Sequence, residues 1–131
     1  MLKREITYEN FNGDLVTDTY YFNLTKSEIL NLDASYENGL NSAIQKIIEA
    51  EDGKALIAEF QKLILLSYGI KSDDGKRFIK SDALREEFSQ TAAYDILFMD
   101  LATNDALAAE FMLGIMPKDM AQAAQKELKG Q

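Results

Sequence analysis

Carboxylates are the main groups in this chain that could do chemistry, because two of the commonest catalytic side chains do not occur. The sequence has no histidine and no cysteine, so it offers no imidazole base, no thiolate nucleophile and no zinc–thiolate site. It also lacks a Gly-rich phosphate loop and a G-x-S-x-G nucleophile elbow. We therefore predict that the chain is not an enzyme and that it binds no cofactor or metal.

The segment most like a cation-binding loop is Asp73-Asp74-Gly75. Such loops need oxygen ligands at alternating positions and a closing glutamate, whereas this one is crowded by Lys71, Lys76, Arg77 and Lys80. The pattern therefore predicts a turn rather than a metal site. The four basic residues are either a solvated loop or a patch that makes electrostatic contacts with an acidic surface, including that of another copy.

Acids concentrate between residues 83 and 116. This segment sets Arg85 against six carboxylates, +1 − 6 = −5, in a chain whose net charge is −8: Glu86, Glu87, Asp95, Asp100, Asp105 and Glu110. The last four are spaced by five residues, which turns each about 140° from the one before on a helix, so they do not converge as a catalytic pair. A solvated acidic rim is the better interpretation. The overall charge would repel phosphate backbones and anionic membranes, so neither nucleic acid nor membrane is an expected partner.

Apolar side chains between these acids exceed what one buried stripe requires. They stand in Ile96-Leu97-Phe98-Met99 and in Phe111-Met112-Leu113. Either they form a fully packed helix pair, or some of them line a groove in which methionines adapt to varied apolar partners. Acids around such a groove would favour a basic amphipathic helix. The candidate partner-binding residues are Phe98, Met99, Phe111, Met112 and Met116.

Strands followed by helices must position these groups. Residues 2–9 alternate between apolar and polar, residues 10–14 contain an Asn-Gly turn, and residues 15–23 are rich in Val, Thr, Tyr and Phe. Thr25 and Glu28 have the spacing of a capping box. A further helix is predicted from about Glu37, with an apolar stripe from Leu40 to Ile48. The next is predicted from Asp52 to Tyr68, with Gly69 as the C′ residue. Three more are predicted at about residues 82–88, 91–102 and 105–116. A small second hairpin is plausible in residues 70–80.

The predicted fold class is α+β, an N-terminal β-hairpin followed by a mainly α-helical bundle of about five or six helices. The composition shifts at Pro117, which also ends the last helix, so residues 1–117 are predicted as a single domain and residues 118–131 as a C-terminal tail, either a frayed helix or disordered. A two-stranded hairpin is marginally stable alone, so it packs on the helices or pairs an edge with another chain. Weak homo-oligomerisation is therefore a second expectation.

Four segments in order resemble the tail assembly chaperones of long-tailed siphophages and related prophages, especially those of Gram-positive hosts. They are residues 68–79 (YGIKSDDGKRFI), 88–94 (FSQTAAY), 98–103 (FMDLAT) and 108–117 (AAEFMLGIMP). The resemblance covers most of residues 1–117 and is densest from Tyr68 onward. It adds no catalytic residues.

The resemblance implies a protein that binds the tape measure protein, keeps it soluble and extended, and assists polymerisation of the tail tube protein around it. Such proteins act in the host cytoplasm and are absent from the mature virion. Many are made in two lengths by a programmed frameshift, and this chain would be the short form. The alternative is a structural phage component, such as a head–tail completion or minor tail protein, that is retained in the virion.

Overall fold

A four-stranded antiparallel sheet and five helices make up the part of the chain that the structure describes. This computed structural model describes residues 1–35, 39, 42 and 53–121. Its elements are β1 (Leu2–Glu9), β2 (Leu15–Phe22), α1 (Lys26–Ser35), α2 (Gly53–Ser67), β3 (Tyr68–Lys71), β4 (Phe78–Ile79), α3 (Asp82–Ser89), α4 (Ala92–Thr103) and α5 (Asp105–Gly114). The predicted α+β class, an N-terminal hairpin followed by a mainly helical region, is confirmed. The predicted stripe from Leu40 to Ile48 and the tail beyond residue 121 lie outside the described residues.

The sheet joins the two predicted hairpins in the order β1-β2-β3-β4. β1 and β2 pair along their whole length, from Leu2 opposite Phe22 to Glu9 opposite Leu15. β2 pairs with β3 only at its last two residues, with Phe22 opposite Tyr68. The turn between β1 and β2 therefore extends beyond the short β2–β3 pairing, which lies at the opposite end of the hairpin.

Aromatic rings join the sheet to the helices. Phe22, at the end of β2, is fully buried, and its ring centroid lies 5.2 Å from that of Phe111 and 5.8 Å from that of Phe88. Tyr68 of β3 stacks on Phe88 with centroids 4.2 Å apart. Because large aromatic side chains contribute much of the buried apolar area in a domain this small, this cluster is the centre of the core.

Side-chain caps define the helix starts that the sequence indicates. In the predicted capping box, the Glu28 amide donates to Thr25 Oγ1 at 3.2 Å and the Thr25 amide donates to Glu28 Oε1 at 2.9 Å. Ser81, Thr91 and Asn104 cap α3, α4 and α5 in the same way, each accepting a backbone N–H three residues on.

One predicted helix end is wrong. Gly69 is not a C′ residue, because α2 runs directly into β3 and Gly69 pairs with Tyr21 in the sheet. A β-carbon at Gly69 would lie 2.7 Å from the Phe78 ring and 2.9 Å from the Ile79 carbonyl oxygen, so the glycine serves close packing. α5, predicted from about residue 105 to 116, ends at Gly114 with Ile115 as its C-cap.

The chain continues past Pro117 as part of the packed structure. Residues 118–121 are helical, the Ala121 amide donates to the Pro117 carbonyl at 2.9 Å, and Met120 packs against the core. Asp119 forms a 2.7 Å ion pair with Lys26 at the start of α1. Among the described helices, none is long and apolar enough to cross a membrane.

Candidate partner-binding surface

Met99 of α4 is the predicted partner-binding residue that the structure leaves most accessible. Ala93, Leu97 and Leu101 form the buried stripe of α4 at four-residue spacing, which turns Met99 outward with 50% of its surface exposed. Phe98 is partly buried, and its ring stacks with that of Tyr94 at 6.1 Å. A partner could therefore contact Met99 directly and Phe98 along one side.

The other three predicted partner-binding residues belong to the core. Phe111 and Met112 have no exposed surface and Met116 is 4% exposed, because α5 and the turn after it pack against the end of β2. Of the two alternatives for this apolar segment, these three side chains follow the packed one. Phe111, Met112 and Met116 hold the fold together and are not accessible to a partner of the folded chain.

The carboxylates of α4 and α5 are exposed, and Asp95 and Asp100 lie close to Met99 along α4. Asp95 and Asp100 on α4, and Asp105 and Glu110 on α5, are all exposed. In the described part of the chain, no group of three or more acids could hold a metal ion. The helical surface is thus an acidic one with a single prominent apolar side chain, which suits a basic, partly apolar partner.

The predicted basic patch contains three residues rather than four. Lys71, Lys76 and Arg77 are exposed at the β3–β4 hairpin, and the Lys71 ammonium lies 5.5 Å from the centroid of the Tyr21 ring. Asp74, at the centre of this turn, accepts hydrogen bonds from Ser72 Oγ at 2.7 Å and from the Lys76 amide at 2.9 Å. Its carboxylate therefore organises the turn, which is the interpretation that the sequence favours.

Lys80 points inward and does not belong to this patch. Its ammonium donates 2.6 Å hydrogen bonds to the Asn23 carbonyl and to Glu28 Oε2. Burial alone would raise the pKa of the Glu28 carboxyl, but hydrogen bonds from Lys80 and Thr25 hold that pKa below its ordinary value. The prediction of Lys80 as an external electrostatic contact is therefore wrong, because the residue ties β4 to the start of α1.

Among the described residues, the most accessible apolar side chains lie at the far end of the first hairpin, at positions predicted only as a turn and the start of a strand. Phe11 is 85% exposed and Leu15 is 75% exposed. A signal for Phe11 is available in the sequence: a phenylalanine between two asparagines in a hairpin turn has no inward position to occupy. Leu15 opens a strand that alternates, and its outward position follows from its pairing with Glu9.

Comparison with known families decides which class of protein presents this surface. A profile described as phage tail assembly chaperone matches residues 1–131, the whole chain. The chain belongs to the phage tail assembly chaperone family. Comparisons with curated proteins and with solved structures give no match.

Family membership accounts for the character of the surface. Membership of this family implies protein partners related to the tail, and a chaperone contacts such partners through side chains that are accessible on its surface. The family match also includes the residues after Pro117, in agreement with the packing of Met120 against the core.

Proposed function

We propose that this chaperone binds the tape measure protein, keeps it soluble and extended, and assists polymerisation of the tail tube protein around it. The observation that carries the proposal is the family match over the whole chain. In this proposal it acts in the host cytoplasm without catalysis and leaves before the virion is complete.

The exposed chemistry supports this function. A long helical client with apolar stripes aggregates unless something covers them. Met99 offers an adaptable apolar contact, and Asp95 and Asp100 beside it attract basic groups that flank an apolar stripe. One such contact is weak, so the protein can later be displaced by tube subunits.

Several copies acting along one client would supply the affinity that a single weak contact lacks. Weak self-association is part of this proposal. The exposed basic patch of Lys71, Lys76 and Arg77 is complementary in charge to the acidic surface of α4 and α5 on a second copy.

The direct test is co-expression with the long open reading frame of the tape measure protein. We expect the soluble fraction of the client to rise with the wild-type chaperone. Met99→Ser should reduce that rise, whereas Leu30→Ser, a change at an exposed apolar position on a different helix, should not. Unchanged client solubility with the wild-type protein would overturn the proposal.

Mass spectrometry of purified virions separates the proposal from a structural role. An assembly chaperone should be missing from particles in which tube and tape measure peptides are abundant. Recovery of this chain at a fixed ratio to those proteins would instead favour a head–tail completion or minor tail protein.

A further inference from the structure

The far end of the first hairpin presents apolar side chains that the core does not use. We call residues 9–15 the distal hairpin. Phe11 and Leu15 are the two most exposed large apolar side chains among the described residues, at 85% and 75%. The inward-facing apolar residues of β1 end with Ile6 and the half-buried Tyr8. Folding of the domain therefore neither needs nor covers Phe11 and Leu15.

The turn that displays Phe11 is ordered by its own hydrogen bonds. Asn10 Oδ1 accepts from the amides of Asn12 at 3.0 Å and Asp14 at 2.9 Å, and the Asn10 amide donates to the Asp14 carbonyl at 2.8 Å. Gly13 supplies the required positive φ of 86°. A side chain held on such a turn loses little conformational freedom when a partner covers it, which favours binding.

The charged residues that lie near Phe11 and Leu15 in the sequence are all acidic. Residues 5–24 contain no lysine or arginine and carry four acids: Glu5, Glu9, Asp14 and Asp18. Residues 5–24 therefore carry −4, and the two basic residues of the hairpin, Lys3 and Arg4, lie at its opposite end from the turn. Apolar groups within an acidic field are complementary to an apolar segment that carries lysine or arginine.

A second copy is the weaker candidate for this partner. The patch of Lys71, Lys76 and Arg77 could meet the distal hairpin of another copy, but each copy carries −8 and the approach is opposed by long-range repulsion. A segment that carries lysine or arginine on a less acidic protein meets no such net repulsion. The observations therefore favour a different protein as the occupant.

We propose that the distal hairpin is a docking site, separate from Met99, for a cationic amphipathic segment of the client. Phe11 and Leu15 make the apolar contacts, and Glu9 and Asp14 attract the flanking basic groups. The identity of the client rests on the proposed function, whereas the site and the chemistry of its ligand do not.

The test is an NMR titration of the full chain with a synthetic Lys/Leu amphipathic peptide, alongside a Glu/Leu peptide of the same pattern. We expect shift changes centred on residues 9–15 with the Lys/Leu peptide and none with the Glu/Leu peptide. Phe11→Ser and Leu15→Thr should each weaken binding by at least about fivefold, as expected for apolar anchors. Leu30→Ser is the matched control, since Leu30 is 70% exposed on α1, and it should leave the affinity unchanged.

A second pair of variants tests the charge. Glu9→Gln combined with Asp14→Asn should weaken binding of the Lys/Leu peptide, whereas Asp95→Asn combined with Asp100→Asn should not alter the shifts at residues 9–15. Equal affinity of wild type and Phe11→Ser, or shifts confined to α4, would overturn the proposal. So would sedimentation showing a homo-oligomer that Phe11→Ser dissociates while the peptide fails to bind.

Co-expression with the tape measure protein separates this site from the proposed function. If the wild type solubilises the client and Phe11→Ser does so equally well, the distal hairpin is not a client site and the proposed function stands. If the wild type fails to solubilise the client but the Lys/Leu peptide binds residues 9–15, the site stands and its client is not the tape measure protein.

Discussion

At the scale of single residues, Lys80 and Arg85 are long basic side chains that make internal contacts. Lys80 reaches from the end of β4 to Glu28 and Asn23, more than fifty positions earlier in the chain. Arg85 similarly donates through Nε to the Leu65 carbonyl at 3.2 Å and through Nη1 to Asp82 at 3.0 Å. Both therefore join elements that are distant in sequence.

Removing the ammonium of Lys80 should destabilise the fold. Lys80→Met keeps the apolar stem but leaves the Asn23 carbonyl and the Glu28 carboxylate without their donor. We expect the free energy of unfolding to fall by about 1–3 kcal/mol, measured by urea denaturation at neutral pH. Lys76→Met, at an exposed position of the neighbouring turn, is the control and should change it by less than about 0.5 kcal/mol. Equal losses of unfolding free energy in the two variants would contradict a stabilising role for the internal contacts of Lys80.

The Glu28 carboxyl should also make stability depend on pH. Its folded pKa lies below its ordinary value of 4.5, so the folded state binds this proton less readily than the unfolded state does. The resulting stabilisation is present above the unfolded pKa and disappears as pH falls through the folded pKa. We expect the stability difference between wild type and Glu28→Gln to shrink as the pH falls from about 5 through the lowered pKa of this carboxyl. A difference that stays constant over that range would show that Glu28 is not stabilised in this way.

At the scale of elements, local signals in the sequence predict the hairpin and the helix starts well. The alternation of residues 2–9, the Asn-Gly turn and the Thr25–Glu28 capping box each act through neighbours within a few residues, and the structure contains all of them. The sequence predicts Gly69 as a helix terminator because glycine often follows a helix. Its real role depends on Phe78 and Ile79, which approach only when β3 and β4 pair.

Long-range contacts also explain why the sequence predicts only in part which apolar residues of α4 and α5 are buried. Both helices are apolar on more than one side, so the sequence cannot tell which side meets the sheet. Leu97 and Leu101 face inward and Met99 faces out because α4 packs against β1. Phe111 is buried because the end of β2 brings Phe22 against it. Neither of these two packing contacts produces a recognisable pattern among neighbouring residues in the sequence.

Gly69 provides a test of how closely the strands pack. In Gly69→Ala, the new methyl would meet the Phe78 ring at 2.7 Å and the Ile79 carbonyl oxygen at 2.9 Å. Because the carbonyl belongs to the backbone and cannot rotate away, we expect a loss of about 1–3 kcal/mol in the free energy of unfolding. Gly114→Ala is a milder comparison, since its methyl would meet only the flexible end of Leu2 at 2.9 Å. A larger loss for Gly114→Ala than for Gly69→Ala would contradict this packing.

At the scale of the whole molecule, one aromatic core holds the sheet and helices together while the accessible apolar groups lie outside it. Phe111→Ala should reduce the free energy of unfolding by about 3–5 kcal/mol, because it removes a fully buried ring between Phe22 and Phe60. Met99→Ala should change it by less than about 0.5 kcal/mol, since the residue is half exposed. Thermal and urea denaturation measure both. Similar losses for the two variants would refute the division between core and partner-binding surface.

The protection of an aggregation-prone client is the central claim, and purified components test it most directly. The tape measure protein is diluted from denaturant with increasing amounts of this chaperone, and aggregation is followed by light scattering. We predict that scattering falls progressively and is suppressed when the chaperone is in several-fold molar excess, as expected when many copies cover one client. An acidic protein of similar size and charge serves as the control and should have no effect. Scattering that is equally high with and without the chaperone would contradict the account.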